Sequence, residues 1–64
     1  MPIARISIMD GRTDEQKAAL IAAVTEAIHR SVGAPRENIR VLLDEVPRTQ
    51  WGIAGKTAHE LDRH

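Results

Sequence analysis

Apolar and polar positions alternate in part along the first segment of the chain. Ala4, Ile6 and Ile8 fall on one face, with Ile3, Arg5, Ser7 and Met9 on the other. A period of two predicts a strand over residues 2–9. Asp10-Gly11-Arg12 then reads as a turn. Thr13-Asp14-Glu15-Gln16 matches a capping box, in which the Thr13 side chain faces the Gln16 N–H and Gln16 reaches back. Asp14 and Glu15 suit the positive end of the helix dipole. The period then changes. Leu20, Val24, Ala27, Ile28 and Ser31 recur at helical spacing, with Ile21 beside the stripe. Alanines at 18, 19, 22, 23 and 27 favour helix and allow close packing. The helix should run to about Val32, where Gly33 supplies the stop and Pro35 follows.

After the connector Arg36-Glu37-Asn38, a second strand is predicted over residues 39–46. Ile39, Val41 and Leu43 face one way, and Arg40, Leu42 and Asp44 the other. Pro47 ends it. Two glycines among apolar residues in Trp51-Gly52-Ile53-Ala54-Gly55 suggest a small hairpin. Residues 57–64 are polar and are expected to be loosely ordered in isolation. The result is one α/β domain over residues 1–64: a βαβ unit with parallel strands and a right-handed crossover, followed by the hairpin.

One helix covers only one face of such a sheet, and parallel sheets generally need both faces covered. A second copy is therefore expected on the open face, in a dimer with a joined four-stranded sheet. Composition supports this. A chain of 64 residues buries only about 60% of its unfolded surface. It has no cysteine, so neither disulfides nor thiolate metal sites can supplement the core. Oligomerisation is the remaining route to stability. Nine basic residues balance nine acidic ones, which argues against a general nucleic-acid binder. No signal-peptide pattern and no membrane-length apolar stretch is present, so a cytoplasmic protein is expected.

Pro2 is the most distinctive chemical feature. Removal of Met1 would leave a secondary amine at the N-terminus, and a free α-amine has an ordinary pKa of about 7.7–8.0. Desolvation or a neighbouring cation would lower it and place an uncharged base at neutral pH. The structural alternative is that Pro2 simply opens an edge strand. Arg12, at the strand end before a helix N-terminus, is either a solvated arginine or part of a carboxylate-binding corner. Arg40 lies among apolar strand residues, so it either pairs with Asp44 or Glu45 or points at a site. Trp51, the single aromatic residue, either packs a core or interface or walls off a dry pocket. His29, His59 and His64 do not have metal-ligand spacing, and no metal is expected. No Ser-His-Asp arrangement or phosphate loop is present.

Taken in order, Pro2-Ile3-Ala4, Asp10-Gly11-Arg12-Thr13-Asp14-Glu15-Gln16-Lys17, Ala34-Pro35, Arg40-Val41 and Trp51-Gly52-Ile53-Ala54-Gly55 closely resemble the 4-oxalocrotonate tautomerase family over nearly the entire chain. The resemblance implies a tautomerase subunit without a cofactor, assembled as a hexamer from a trimer of dimers. It implies that Pro2 is the catalytic base and that Arg12 binds the distal carboxylate of the substrate. It also implies that Arg40, donated by a neighbouring subunit, engages the 2-keto and carboxylate end. Met9 and Ile53 would line an apolar pocket, and Trp51 stands where the family usually has Phe. The implied reaction converts a 2-hydroxymuconate-like dienol to the conjugated 2-oxo-enoate, in the catabolism of aromatic compounds. The dehalogenase branch of the superfamily uses a second arginine and a tail glutamate, where this chain has Met9 and Ile53. The alternatives are a tautomerase-superfamily enzyme with a different 2-keto acid substrate, and a non-catalytic oligomeric subunit or binding module, in which both arginines pair with acids across an interface.

Overall fold

The computed structural model describes all residues from Met1 to His64. Strand β1 spans Ile3–Met9, helix α1 Asp14–Val32 and strand β2 Arg40–Val46. A short antiparallel hairpin follows, made of β3 (Gly52–Ile53) and β4 (Lys56–Thr57). One-turn 3-10 segments, Arg36–Asn38 and Arg48–Gln50, precede β2 and the hairpin. The expected βαβ architecture is thus present, and β1 and β2 pair in parallel from Ile3↔Arg40 to Met9↔Val46.

Local chemistry sets these boundaries. Thr13 Oγ1 accepts from the Gln16 N–H at 3.1 Å, and Gln16 Oε1 accepts from the Thr13 N–H at 2.9 Å. The capping box is complete and satisfies two donors that the first turn would otherwise strand. At the other end Gly33 adopts φ 76° and its N–H reaches the His29 carbonyl at 3.0 Å, a left-handed stop suited to glycine. Nineteen residues of helix rise about 28 Å, and seven residues of strand advance about 23 Å. The helix therefore carries the chain back to the start of β1, where β2 begins in parallel register.

Helix α1 covers the sheet face carrying Ala4, Ile6 and Ile8, all half-buried. Leu20, Val24 and Ile28 of the helix are half-buried as expected, but Ala27 and Ser31 are exposed. The stripe is narrower than the sequence suggests because a two-stranded sheet is only about 5 Å wide between strand axes. The opposite face is open: Ile3 is 61% and Leu42 41% exposed. Only Ile39 and Ala58 are buried. The chain measures 42 × 24 × 14 Å with a radius of gyration of 14.5 Å, against about 11 Å for a compact domain of this length. Its surface of 4711 Å² also exceeds the roughly 4,100 Å² typical of a folded monomer of this mass.

The C-terminal residues correct one expectation. Residues 57–64 form a defined turn rather than a loose tail. Thr57 and Glu60 make a reciprocal cap, each main-chain N–H donating to the other's side-chain oxygen at 3.0 Å. The Arg63 N–H closes on the Ala58 carbonyl at 2.8 Å. Ala58 lies beneath with no exposed surface, small enough for the turn to close over it.

Candidate functional site

Strand pairing places Pro2 and Arg40 together. The Arg40 N–H donates to the Pro2 carbonyl at 3.0 Å, extending the parallel ladder by one bond beyond β1. Pro2 is half-buried, and Met1 before it is 75% exposed. The Arg40 guanidinium does not pair with Asp44 or Glu45. Its Nη1 donates to the main-chain carbonyl of Glu37 at 2.8 Å and, more weakly, to that of Ile39 at 3.4 Å. Glu45 is taken instead by Lys17, whose Nζ lies 2.9 Å from its Oε1 and 3.3 Å from Asp14 Oδ1. Both contacts hold the Lys17 pKa above its ordinary 10.5, the Glu45 hydrogen bond more strongly.

The remaining candidates lie elsewhere. Met9 and Arg12 are at the far end of β1, where Met9 pairs with Val46 and is half-buried. Arg12 is exposed, and its side chain takes part in none of the side-chain hydrogen bonds or ion pairs. Trp51 and Ile53 sit on the hairpin that leaves the C-terminal end of β2. Both are half-buried, and the Trp51 carbonyl accepts from the Ala58 N–H at 2.8 Å. One chain therefore holds two half-sets: Pro2 with Arg40 at one end, and Met9 with Arg12 at the other, where the hairpin begins.

The one surface cavity, about 440 Å³ in volume, adjoins neither Pro2 nor Arg40. It opens between the Asp10-Gly11 turn and the segment Pro47–Thr49, and His59 and His64 also line it. Arg48 Nη1 lies 2.9 Å from His64 Nδ1 and 3.4 Å from the Arg63 carbonyl. No three His, Cys, Asp or Glu groups converge in a way that could hold a metal. No helix is long and apolar enough to cross a membrane.

Sequence reasoning missed one interaction beside the site. Arg36 Nε and Nη2 donate to Glu26 Oε2 and Oε1 at 2.6 and 2.9 Å, a two-pronged ion pair. That hydrogen bonding holds the Glu26 carboxyl below its ordinary 4.5 and raises the pKa of the Arg36 guanidinium. The partners are ten residues apart across the helix stop, so no local spacing could have announced the pair.

Comparison with known proteins agrees with the geometry. The model of the tautomerase enzyme family matches residues 2–60. The chain is 51% identical over 63 residues to a 2-hydroxymuconate tautomerase of Comamonas testosteroni, covering 98% of this chain and all (100%) of that one. A 4-oxalocrotonate tautomerase isozyme from Methylibium petroleiphilum superposes with a TM-score of 0.94 at 50% identity, over 97% of this chain and 100% of that one. A subunit of a heterohexameric 4-oxalocrotonate tautomerase from Chloroflexus aurantiacus gives 0.91 at 36% identity, over 95% and 98%. With a matching family model, a shared fold and half its residues in common with full-length relatives, the chain belongs to the tautomerase family of enzymes.

Proposed function

We propose that the chain is a cofactor-independent isomerase that converts 2-hydroxymuconate-like dienols to 2-oxo-enoates, with Pro2 as general acid and base. The supporting observation is an Arg40 guanidinium bound only by main-chain carbonyls, with no carboxylate partner. Donated by a neighbouring subunit, as the family resemblance implies, it would bring a cation to the nitrogen that becomes an amine when Met1 is removed. A nearby cation disfavours protonation of that amine and keeps it a base near neutral pH.

The reaction follows from charge. The proline nitrogen takes a proton from the dienol and leaves a dienolate. The protonated nitrogen then returns the proton at a distal carbon, and the C2 oxygen becomes a ketone. Arg40 engages the 2-keto and carboxylate end, and Arg12 the distal carboxylate. Guanidinium groups held in place stabilise the developing anion at little reorganisation cost. Trp51, Met9 and Ile53 form apolar walls that keep the site dry. Arg12 reaches the Pro2 end only from another copy, so the working unit is a homo-oligomer. A hexamer built from dimers is the form we propose, and the Chloroflexus aurantiacus relative is itself hexameric.

The test is turnover of 2-hydroxymuconate and of the phenylpyruvate enol, with intact mass measured on the same sample. Active protein should lack Met1. Pro2→Ala should remain folded and lose about 10²–10⁴-fold in kcat. Parent-like turnover by Pro2→Ala would sink the proposal.

A further inference from the structure

The Arg40 side chain is held by a short relay. The segment between α1 and β2 is fastened back to the helix by side-chain bonds at two points. His29 Nδ1 lies 2.8 Å from the Ala34 carbonyl, and Arg36 grips Glu26 with two hydrogen bonds. Arg36 opens the 3-10 turn Arg36–Asn38, and its carbonyl receives the Ile39 N–H at 3.0 Å. Ile39 is one of only two buried residues, so that end of the turn is anchored in the core. Glu37, at the middle of the turn, presents its carbonyl to Arg40 Nη1. The two-pronged geometry of the Arg36–Glu26 pair fixes direction as well as distance. The turn is otherwise exposed.

We infer that Glu26 and Arg36 are positioning residues for the reaction: their ion pair sets the turn whose Glu37 carbonyl aims the Arg40 guanidinium. The inference rests on the assignment of Arg40 to substrate binding. Without the pair, the turn gains freedom and the Arg40 side chain spreads over more rotamers. The substrate must then select the productive one, so KM rises while the chemical step at Pro2 is less affected.

The experiment uses the assembled enzyme and 2-hydroxymuconate. Arg36→Met and Glu26→Gln should each raise KM about three- to fivefold, the scale of one well-formed exposed pair. The reversed pair, Glu26→Arg with Arg36→Glu, should recover part of that loss. In an Arg40→Ala background, Arg36→Met should add nothing, because its effect passes through Arg40. In an Arg12→Ala background it should keep its full effect. An equal loss from Arg36→Met with and without Arg40 would overturn the inference, since the pair would then serve general stability. So would a parent-like KM for Arg36→Met alongside a damaged Arg40→Ala. A parent-like Arg40→Ala would overturn the proposed role of Arg40 itself, and the inference with it.

Discussion

Pro2 and Arg12 stand at opposite ends of one strand. Pro2 immediately precedes β1 and Arg12 follows it after a two-residue turn, with Ile3–Met9 between them. Seven extended residues separate the two by about 23 Å, far beyond the reach of one small dicarboxylate. A substrate held by both must lie between two chains. In a symmetric pair each chain would lend Arg12 to the Pro2 of the other. Co-assembly of Pro2→Ala chains with Arg12→Ala chains should therefore restore activity that neither has alone. Random mixing leaves about a quarter of sites with both groups intact. Recovered kcat near that fraction, measured after denaturation and joint refolding, supports the shared site. No recovery in verified mixed oligomers would refute it.

The open sheet face makes folding and assembly inseparable. Two buried residues are too few to hold a free monomer against the entropy of ordering the chain. Thermal midpoints should rise with protein concentration, as mass action requires when the folded state is an oligomer. Ile3→Asp or Leu42→Asp places a charge on the open face, where those side chains are 61% and 41% exposed in one chain. Each should shift the protein toward unfolded monomer, seen as loss of sedimenting oligomer together with loss of far-ultraviolet signal. A variant that remained folded as a monomer would show that this face is not needed for stability.

The elements that could be foreseen are those set by local chemistry. Thr13 and Gln16 fix the helix start within four residues, and Gly33 fixes its stop, so α1 was visible in the sequence. Its length then dictated the parallel return of β2. The C-terminal turn was equally local but was hidden by polar composition. Thr57-Ala58-His59-Glu60 has the same capping spacing as Thr13–Gln16, without an apolar run behind it. Glu26–Arg36 was out of reach for a different reason, since it depends on where the chain lands after the helix stop. The candidate site was half legible. The register joins the Arg40 main chain to Pro2, as parallel strands would allow, while Arg12 stands beyond the far end of β1.

Acid should loosen the protein through two carboxylates. Glu60 is held below its ordinary 4.5 by hydrogen bonds from Thr57, the main-chain bond first. Glu26 is held below 4.5 chiefly by its hydrogen bonds with Arg36. Each binds a proton more readily when unfolded, so each stabilises the fold above its unfolded pKa. That contribution fades as pH falls through the lowered folded value. Urea midpoints measured at fixed protein concentration between about pH 3 and 6 should fall toward the acid side. Glu60→Gln and Glu26→Gln should each flatten that slope. If neither changes it, these two carboxylates do not carry the acid response.

The hairpin contains a residue in an unfavourable conformation. Gly52↔Thr57 and Ile53↔Lys56 pair across a two-residue loop, Ala54-Gly55, with φ of 52° and 86°. Positive φ at both positions is what a type I′ turn needs, and it suits Asn-Gly or Gly-Gly. Ala54 places a Cβ against the backbone there, at a cost of about 1–2 kcal/mol. Part of this is offset, because alanine has less freedom than glycine to lose on folding. Ala54→Gly should therefore stabilise the protein by up to about 1 kcal/mol, a rise of about 4–8 °C for a domain of this size. Ala54→Asn should help in the same direction, since asparagine tolerates the left-handed region. Ala54→Val should destabilise, because a β-branched residue fits that region worst. The hairpin also carries Trp51 and Ile53, so Trp51 fluorescence can follow its order during the same melts. A lower midpoint for Ala54→Gly than for the parent would mean that Ala54 makes a contact worth more than the relief of its backbone.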